Sequence, residues 1–466
     1  MNVRYVLAAD FETSRFYQQK DYFDSNITKS FEWRIEQLNR LTRMLSENTN
    51  EFSEALSSDF KTALSEKVFE VAALLGLIEA TKGNLKAWME PTEVAIPKFL
   101  RASGHRGVVY REPYGVTLIM GPFNAPLLSL LRPTITALAA GNPCVLKVPE
   151  APATAQLLLN LIPRYFEPHA VTAFAADPEQ IARLLKLPFD FIFFTGSARV
   201  GRIIMRAAAE HLTPVLLELG GQNPALVDQT ANLRDAAKKI MWGATAWGGQ
   251  WCTSPGYAYV HESVAEEFVA ECKRAVIELY GNDPGSNPNY SRIIDARAVK
   301  RLATLINPDQ VVFGGRYDEE KRYFDPTILY PVSWSDKVMQ EEIFGPILPI
   351  LTYSTMTEAI QHIKRRPRPL AGFVFSQDSD VIDSFIANLS FGGGAVNQTN
   401  VHVFIDTMPF GGIGESGLGC ANGKHGFDSL THAKSILLSP TDVAIDHLYP
   451  PYTIEKVQAL GQWLDY

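Results

Sequence analysis

From Gly115 onward the chain alternates near-continuous apolar runs with helical segments: GVTLIMG, a helix around Leu127 to Ala140, CVLKVP, a helix from Ala153, VTAFA, a helix from Pro178, FDFIFFTG, a helix from Ala198, and PVLLELG. Strands that are apolar on both faces and joined by helix-length connections are what a parallel sheet covered on both sides requires. The stretch therefore predicts a doubly wound, nucleotide-binding α/β domain. From Gly221 a second series follows, with NPALV, a helix from Leu233, YAYV, a helix from Val264, VVFGG, ILPIL, a helix from Thr357, AGFVF and a helix from Asp380. That predicts a second α/β domain.

Ahead of both series, Phe31, Ile35, Leu38, Leu41 and Leu45 recur at helical spacing, and Val68 to Met89 continues in the same way. Two or three helices are predicted there. The segment GHRGVVYREPY, from Gly104 to Tyr114, is short, aromatic and punctuated by Gly and Pro, which predicts a hairpin leaving the main body as an interface arm. The cluster Gly392-Gly393-Gly394 marks the end of the second series, and HLYPPYTIEKVQALGQWLDY reads as a tail with its own short helix.

At 466 residues the chain has room for two large domains or about three of ordinary size. Its 46% hydrophobic and 20% charged residues provide ample apolar surface and exclude disorder. A net charge of -8 leaves no basis for sequence-independent attraction to nucleic acid. Cys144, Cys252, Cys272 and Cys420 lie far apart without a CxxC pair, so neither a disulfide framework nor a thiolate metal site is expected, and a reducing cytoplasm fits best. The opening MNVRYVLAADFETSRFYQQK lacks the apolar core of a signal peptide. Tyr114 to Leu131 is free of charge, but Pro122, Asn124 and Pro126 interrupt it and Arg132-Pro133 closes it, so it reads as buried strand, loop and helix rather than a membrane span.

Several of these segments carry chemistry. In FDFIFFTGSARVG an apolar strand ends at Thr195-Gly196-Ser197 and a helix begins, with Gly201 one turn in. A glycine and a small hydroxyl at such a junction let a pyrophosphate approach the helix N-terminus, although an ordinary βα turn has the same look. A literal GxGxxG at Gly412, Gly414 and Gly417 follows no strand and opens no helix, so it reads as a loop shaped for close backbone approach. Cys252 lies in the glycine-rich TAWGGQWCTSPGY, where its thiol is either a nucleophile or a small buried hydrophobe. Glu218 ends the apolar PVLLELGG, where a carboxylate is either a rim residue capped by backbone or a group with a raised pKa suited to general-base work. Asn124, in GPFNAP, is placed to donate its amide to a developing oxyanion, or to shape a turn.

Together these pieces resemble the aldehyde dehydrogenases. FNAP resembles the family's catalytic Asn motif, LKVPE its KPSE motif, FTGSARVG its pyrophosphate turn, LELGG its general-base motif, GQWC its nucleophile motif, EEIFGP its nicotinamide-ribose motif and PFGGIGESGLG its late glycine loop, in the family's order between Tyr110 and Leu437. The short N-terminus, the Gly121-Pro122-Phe123-Asn124 loop and the ending Tyr449-Pro450-Pro451-Tyr452 resemble the dimeric class 3 branch. That resemblance implies a dinucleotide-binding domain over 1–103 and 115–220, a catalytic domain over 221–400, and oligomerisation or bridging segments over 104–114 and 428–466, in a homodimer.

It also implies roles. Cys252 would attack the carbonyl of a small-molecule aldehyde, Asn124 would hold the oxygen, and Glu218 would activate the water that releases a carboxylic acid. NAD or NADP would be held by Gly196 and Ser197 at the pyrophosphate, Lys147 and Glu150 at the adenosine ribose, and Glu342 at the nicotinamide ribose with Phe344 beside it. Gly121, Phe123, Gly201, Leu219 and Gly220 would complete the cofactor path. The chain departs from the family pattern at Phe123 in place of Trp, at Val148-Pro149 within the KPSE motif, and at Gln222 after Gly220-Gly221. No metal site is expected. The aldehyde is expected to be aromatic or medium- to long-chain aliphatic. A cysteine-dependent ester or thioester hydrolase without redox chemistry, and a catalytically retired scaffold, are the alternatives.

Overall fold

The computed structural model describes residues 9–466; residues 1–8, which open the segment read as lacking a signal peptide, lie outside the described residues. Between residues 31 and 89 lie three helices, Phe31–Glu47, Thr49–Asp59 and Leu64–Met89, which meet the expectation of two or three, and a further helix, Ala9–Asp24, precedes them. A six-stranded sheet follows, in the order Gly417–Leu418, Val215–Glu218, Phe191–Thr195, Thr117–Met120, Cys144–Lys147, Val171–Phe174. All its pairings are parallel except that of Gly417–Leu418 with Val215–Glu218. The chain starts in the middle, at Thr117–Met120, runs to one edge and then returns to the other side at Phe191–Thr195. This reversal is the switch point of a doubly wound fold, where the loops leaving adjacent strands diverge and open a crevice.

The second series forms a seven-stranded sheet in the order Val311–Phe313, Thr327–Leu329, Ile347–Tyr353, Pro255–His261, Asn223–Val227, Ala371–Phe375, Gly393–Val396. It is parallel apart from the Val311–Phe313 edge. The apolar runs are buried on both faces: Leu118, Ile119, Ala225, Leu226 and Val227 are all fully enclosed. Each enclosed leucine, isoleucine or valine side chain contributes about 1.5–3 kcal/mol. The uncharged stretch from Tyr114 is strand Thr117–Met120, a loop and helix Leu128–Ala140, as read from its prolines.

Two readings need correction. The segment 104–114 is not a hairpin: Arg106–Pro113 is one continuous strand, paired antiparallel with Thr92–Val94 on one side and Thr431–Leu438 on the other. Gly107, the apparent turn signal, lies inside the strand, where a Cβ would come within 2.6 Å of Ile96 Cγ2. The glycine serves packing rather than a turn. The cluster Gly392-Gly393-Gly394, read only as an end marker, opens the edge strand Gly393–Val396, and a Cβ at Gly394 would overlap the carbonyl of Gly372 on the neighbouring strand. The helix Ala296–Ala303 and strand Thr327–Leu329 were also not read from the sequence, the strand being too short to display a period.

Candidate active site

The sheet ends supply the side chains. Strand Thr117–Met120 runs into the loop carrying Phe123 and Asn124, and Gly121 lets that loop lie close to the following helix, since a Cβ there would be 3.2 Å from the Leu130 nitrogen. Strand Phe191–Thr195 ends at Gly196 and Ser197, and the Ser197 hydroxyl accepts from the Val200 N–H to cap helix Ala198–Ala209. Gly201 brings that helix against Leu219, where a Cβ would come within 2.9 Å of the leucine Cδ2. Strand Val215–Glu218 delivers Glu218, then Leu219 and Gly220.

From the second sheet comes Cys252. Helix Leu233–Thr245 breaks at Trp247, Gly248 and Gly249, all left-handed with φ of 58°, 64° and 68°. The chain then turns through Trp251 and Cys252 into strand Pro255–His261. Asn223 holds this turn by donating its amide to the carbonyls of Cys252 and Ser254, both at 2.9 Å, while its oxygen accepts from Ala371 N–H at 2.8 Å.

These loops enclose a cavity of about 590 Å³. It brings together Phe123, Asn124, Gly196, Ser197, Glu218, Leu219, Gly220, Cys252, Glu342 and Phe344. Gly121 and Gly201 act from behind the wall, as described above. Lys147 and Glu150 do not line the cavity; they form an ion pair at the end of the adjoining strand Cys144–Lys147, beside Met120.

Glu218 is 4% exposed, and neither carboxylate oxygen has a hydrogen-bond partner among the described residues. Burial pushes its pKa well above the usual carboxylate range, with the Arg132 guanidinium pulling it back. Cys252 is pushed up to about 12 by burial, with the charges of Glu218 and Glu342 adding to the effect. The thiol therefore rests protonated at neutral pH and needs a base to become a nucleophile. Burial also raises Glu342 to about 7, against the Gly221 N–H and the Arg301 charge.

The cofactor path can be tested on this geometry. Gly220 packs so closely on the Glu342 carboxylate that any Cβ would overlap it, Phe123 and Phe344 meet edge to face at 5.7 Å, and a capped helix N-terminus opens at Gly196 and Ser197. Backbone N–H groups for phosphate, carboxylates for ribose hydroxyls and aromatic walls fit a dinucleotide. Gln222 secures the Glu342 loop by donating its amide to the carbonyls of Val338 and Glu341.

The aldehyde dehydrogenase family pattern matches residues 18–436. The chain belongs to that family. Among related aldehyde dehydrogenases, the 4,4'-diaponeurosporen-aldehyde dehydrogenase of Staphylococcus aureus is 39% identical over 442 residues, covering 94% of this chain and 96% of that one. The dimeric NADP-preferring aldehyde dehydrogenase of Rattus norvegicus is 39% identical over 436 residues, covering 93% and 96%. A solved structure, Staphylococcus aureus AldH in its substrate-bound state, superposes with a TM-score of 0.94 at 38% identity, covering 97% of this chain and 99% of that one. The reaction of this aldehyde dehydrogenase is NAD(P)-dependent oxidation of an aldehyde.

Sequence reasoning missed two further residues of this aldehyde dehydrogenase site. Arg132 lines the cavity and donates from Nη1 to the Val403 carbonyl at 3.2 Å and to Asn422 Oδ1 at 3.1 Å. Its signal was a single charge in an otherwise uncharged helix, Leu128–Ala140. Asn223 had no signal beyond its place at a strand start.

Proposed function

We propose that Cys252, Glu218 and Asn124 carry the oxidation of an aromatic or medium- to long-chain aldehyde to its carboxylic acid. The carrying observation is the pair of unpartnered Glu218 oxygens in the cavity that Cys252 also lines. A buried carboxylate without partners costs several kcal/mol and persists where a proton must be taken.

Cys252 Sγ gives up its proton to solvent water and adds to the aldehyde carbon. The Asn124 amide and the Cys252 backbone N–H donate to the oxygen as charge develops on it. NAD(P), held by the residues named below, would supply the hydride acceptor that converts the adduct on Cys252 to a thioester. Glu218 then takes a proton from water, which attacks the thioester carbon; the C–S bond breaks and the acid leaves with Cys252 regenerated. Gly196 and Ser197 would hold the pyrophosphate, Lys147 and Glu150 the adenosine ribose, and Glu342 the nicotinamide ribose, with Gly121, Phe123, Gly201, Leu219, Gly220 and Phe344 shaping the path.

Trp247, Trp251, Phe404 and Phe410 in the cavity wall support an apolar substrate, and one relative is named for 4,4'-diaponeurosporen-aldehyde. The non-redox hydrolase lacks the histidine that commonly serves such enzymes, since none lines the cavity among the described residues. We assign residues 1–103 and 115–220 to cofactor binding, 221–400 to catalysis, and 104–114 with 428–466 to a homodimer contact. Exposed Ile436, Leu437 and Leu438 on strand Thr431–Leu438 support that contact, and one relative is named dimeric. Free cysteines at all four positions support a reducing cytoplasm, and no helix among the described residues is long and apolar enough to cross a membrane.

The test is formation of reduced cofactor from a panel of aromatic and aliphatic aldehydes, with NAD and NADP in separate wells and a Cys252→Ala control. Signal that survives in Cys252→Ala would overturn the assignment.

A further inference from the structure

Behind the cavity lies a buried ionic cluster that takes no part in the steps above. Glu66 and Glu70 sit one turn apart on helix Leu64–Met89, so both face the same way, and Lys61 lies in the turn before that helix. Lys61 and Glu70 are fully enclosed and paired at 2.6 Å, and Glu66 is buried beside them. Ionisable groups are expensive to bury, and a well-packed apolar cluster is often no less stable than a buried ion pair. Their contacts are what distinguish them.

Glu70 Oε2 accepts from the Leu127 N–H at 2.9 Å and the Leu128 N–H at 3.2 Å, the donors that open the helix just after Asn124. Glu66 Oε1 accepts from the Trp247 N–H at 2.8 Å, at the left-handed residue that starts the Cys252 turn, and its other oxygen accepts from the Ser291 hydroxyl at 2.6 Å. Lys61 Nζ stands 3.3 Å from the centroid of the Trp247 ring, which stacks on Trp251 at 4.5 Å, next to Cys252. One helix turn thus grips both the loop of the oxyanion amide and the loop of the nucleophile. The Asn124 loop belongs to the six-stranded sheet and the Cys252 turn to the seven-stranded one, so no strand pairing fixes their separation.

We propose that Glu66, Lys61 and Glu70 are positioning residues that set the spacing between the Asn124 amide and the Cys252 thiol. The inference rests on the assignment of Asn124 as oxyanion donor. The cluster touches no reacting atom; it holds backbone N–H groups that would otherwise lack partners, and in doing so ties two sheets together at the point of chemistry.

A probe that needs no cofactor tests this. In p-nitrophenyl acetate the Cys252 sulfur attacks the ester carbonyl, p-nitrophenolate leaves with the bonding pair, and water later releases acetate. Acylation uses the amide, whereas alkylation of the same thiol by iodoacetamide displaces iodide and needs no oxyanion donor. Glu70→Gln is expected to slow acylation about tenfold while alkylation stays within about twofold. In an Asn124→Ala background, Glu70→Gln is expected to add less than about twofold, because both act through one group. Acylation by folded Glu70→Gln at the wild-type rate, or fully additive effects in the double variant, overturns the proposal. Should Glu70→Gln fail to fold, Glu66→Gln decides it at the other loop: acylation slowed more than alkylation supports the proposal, and an unchanged ratio of the two rates overturns it. Wild-type acylation by Asn124→Ala would instead sink the amide assignment itself, whereas a slow Asn124→Ala beside a fast Glu70→Gln removes the positioning role alone.

Discussion

The backbone of Gly220 lies directly against the carboxylate of Glu342, so closely that no side chain fits between them. Gly220→Ala is therefore expected to displace the proposed ribose ligand and leave the Cys252 thiol in place. The apparent affinity for NAD(P), measured by quenching of tryptophan fluorescence, should fall roughly tenfold, the loss of one charge-assisted hydrogen bond. Iodoacetamide should still alkylate Cys252 at its normal rate; unchanged cofactor affinity would remove Glu342 from the binding path.

Replacing Glu218 with Gln keeps the shape of the cavity and removes the base. The first turnover should still deliver a burst of reduced cofactor, while steady-state turnover drops on the order of 10²-fold or more because the thioester waits for water. Stopped-flow absorbance separates the two phases. Equal loss of burst and steady state would place Glu218 elsewhere in the cycle.

The same substitution has a consequence for stability. Because the folded protein holds the Glu218 pKa well above its unfolded value, the folded state binds the extra proton and stability declines as pH rises past the ordinary glutamate pKa of about 4.3. Below that pH both states are protonated and the penalty vanishes. Glu218→Gln should thus melt a few degrees above wild type at neutral pH, with the gap closing toward pH 4 in a calorimetric series. A gap independent of pH would mean that the carboxylate's charge is not its cause.

Arg132 is the cation that draws the Glu218 pKa downward. Without it the base would deprotonate only at higher pH, so the acidic limb of the kcat profile in Arg132→Gln should move upward. Arg132→Lys keeps the charge and should restore most of the shift. A limb that moves equally in both variants would point to lost contacts with Val403 and Asn422 instead.

Gly249 has φ of 68°, and its backbone crosses that of Gly345 with no room for a Cβ. Gly249→Ala should push the Cys252 turn away from the loop of Glu342 and Phe344, at a cost of about 1–3 kcal/mol, read as a lower urea midpoint. Both alkylation of Cys252 and cofactor affinity should suffer, unlike the selective effect at Gly220.

Much of this site could be read from local pattern. Gly196, Ser197 and Glu218 were legible because each closes an apolar run, and a doubly wound fold gathers strand ends into one crevice. The loop 411–419, correctly set apart from dinucleotide fingerprints, kept its real place hidden: Gly417–Leu418 pairs with the strand of Glu218, and the Leu219 N–H donates to the Ser416 carbonyl. That contact spans a sequence distance over which no local period carries information. Gly107 misled for the related reason that a glycine needed for packing looks the same as one needed for turning.

The alternation of apolar runs and helices by itself determined two covered sheets and the order of the motifs, because strand and helix periods are properties of neighbouring residues. Only the tertiary structure decided that Lys61, Glu66, Glu70 and Arg132 sit behind or beside the cavity. Whether a charge is solvated or buried depends on what packs over it, and those partners come from distant parts of the chain.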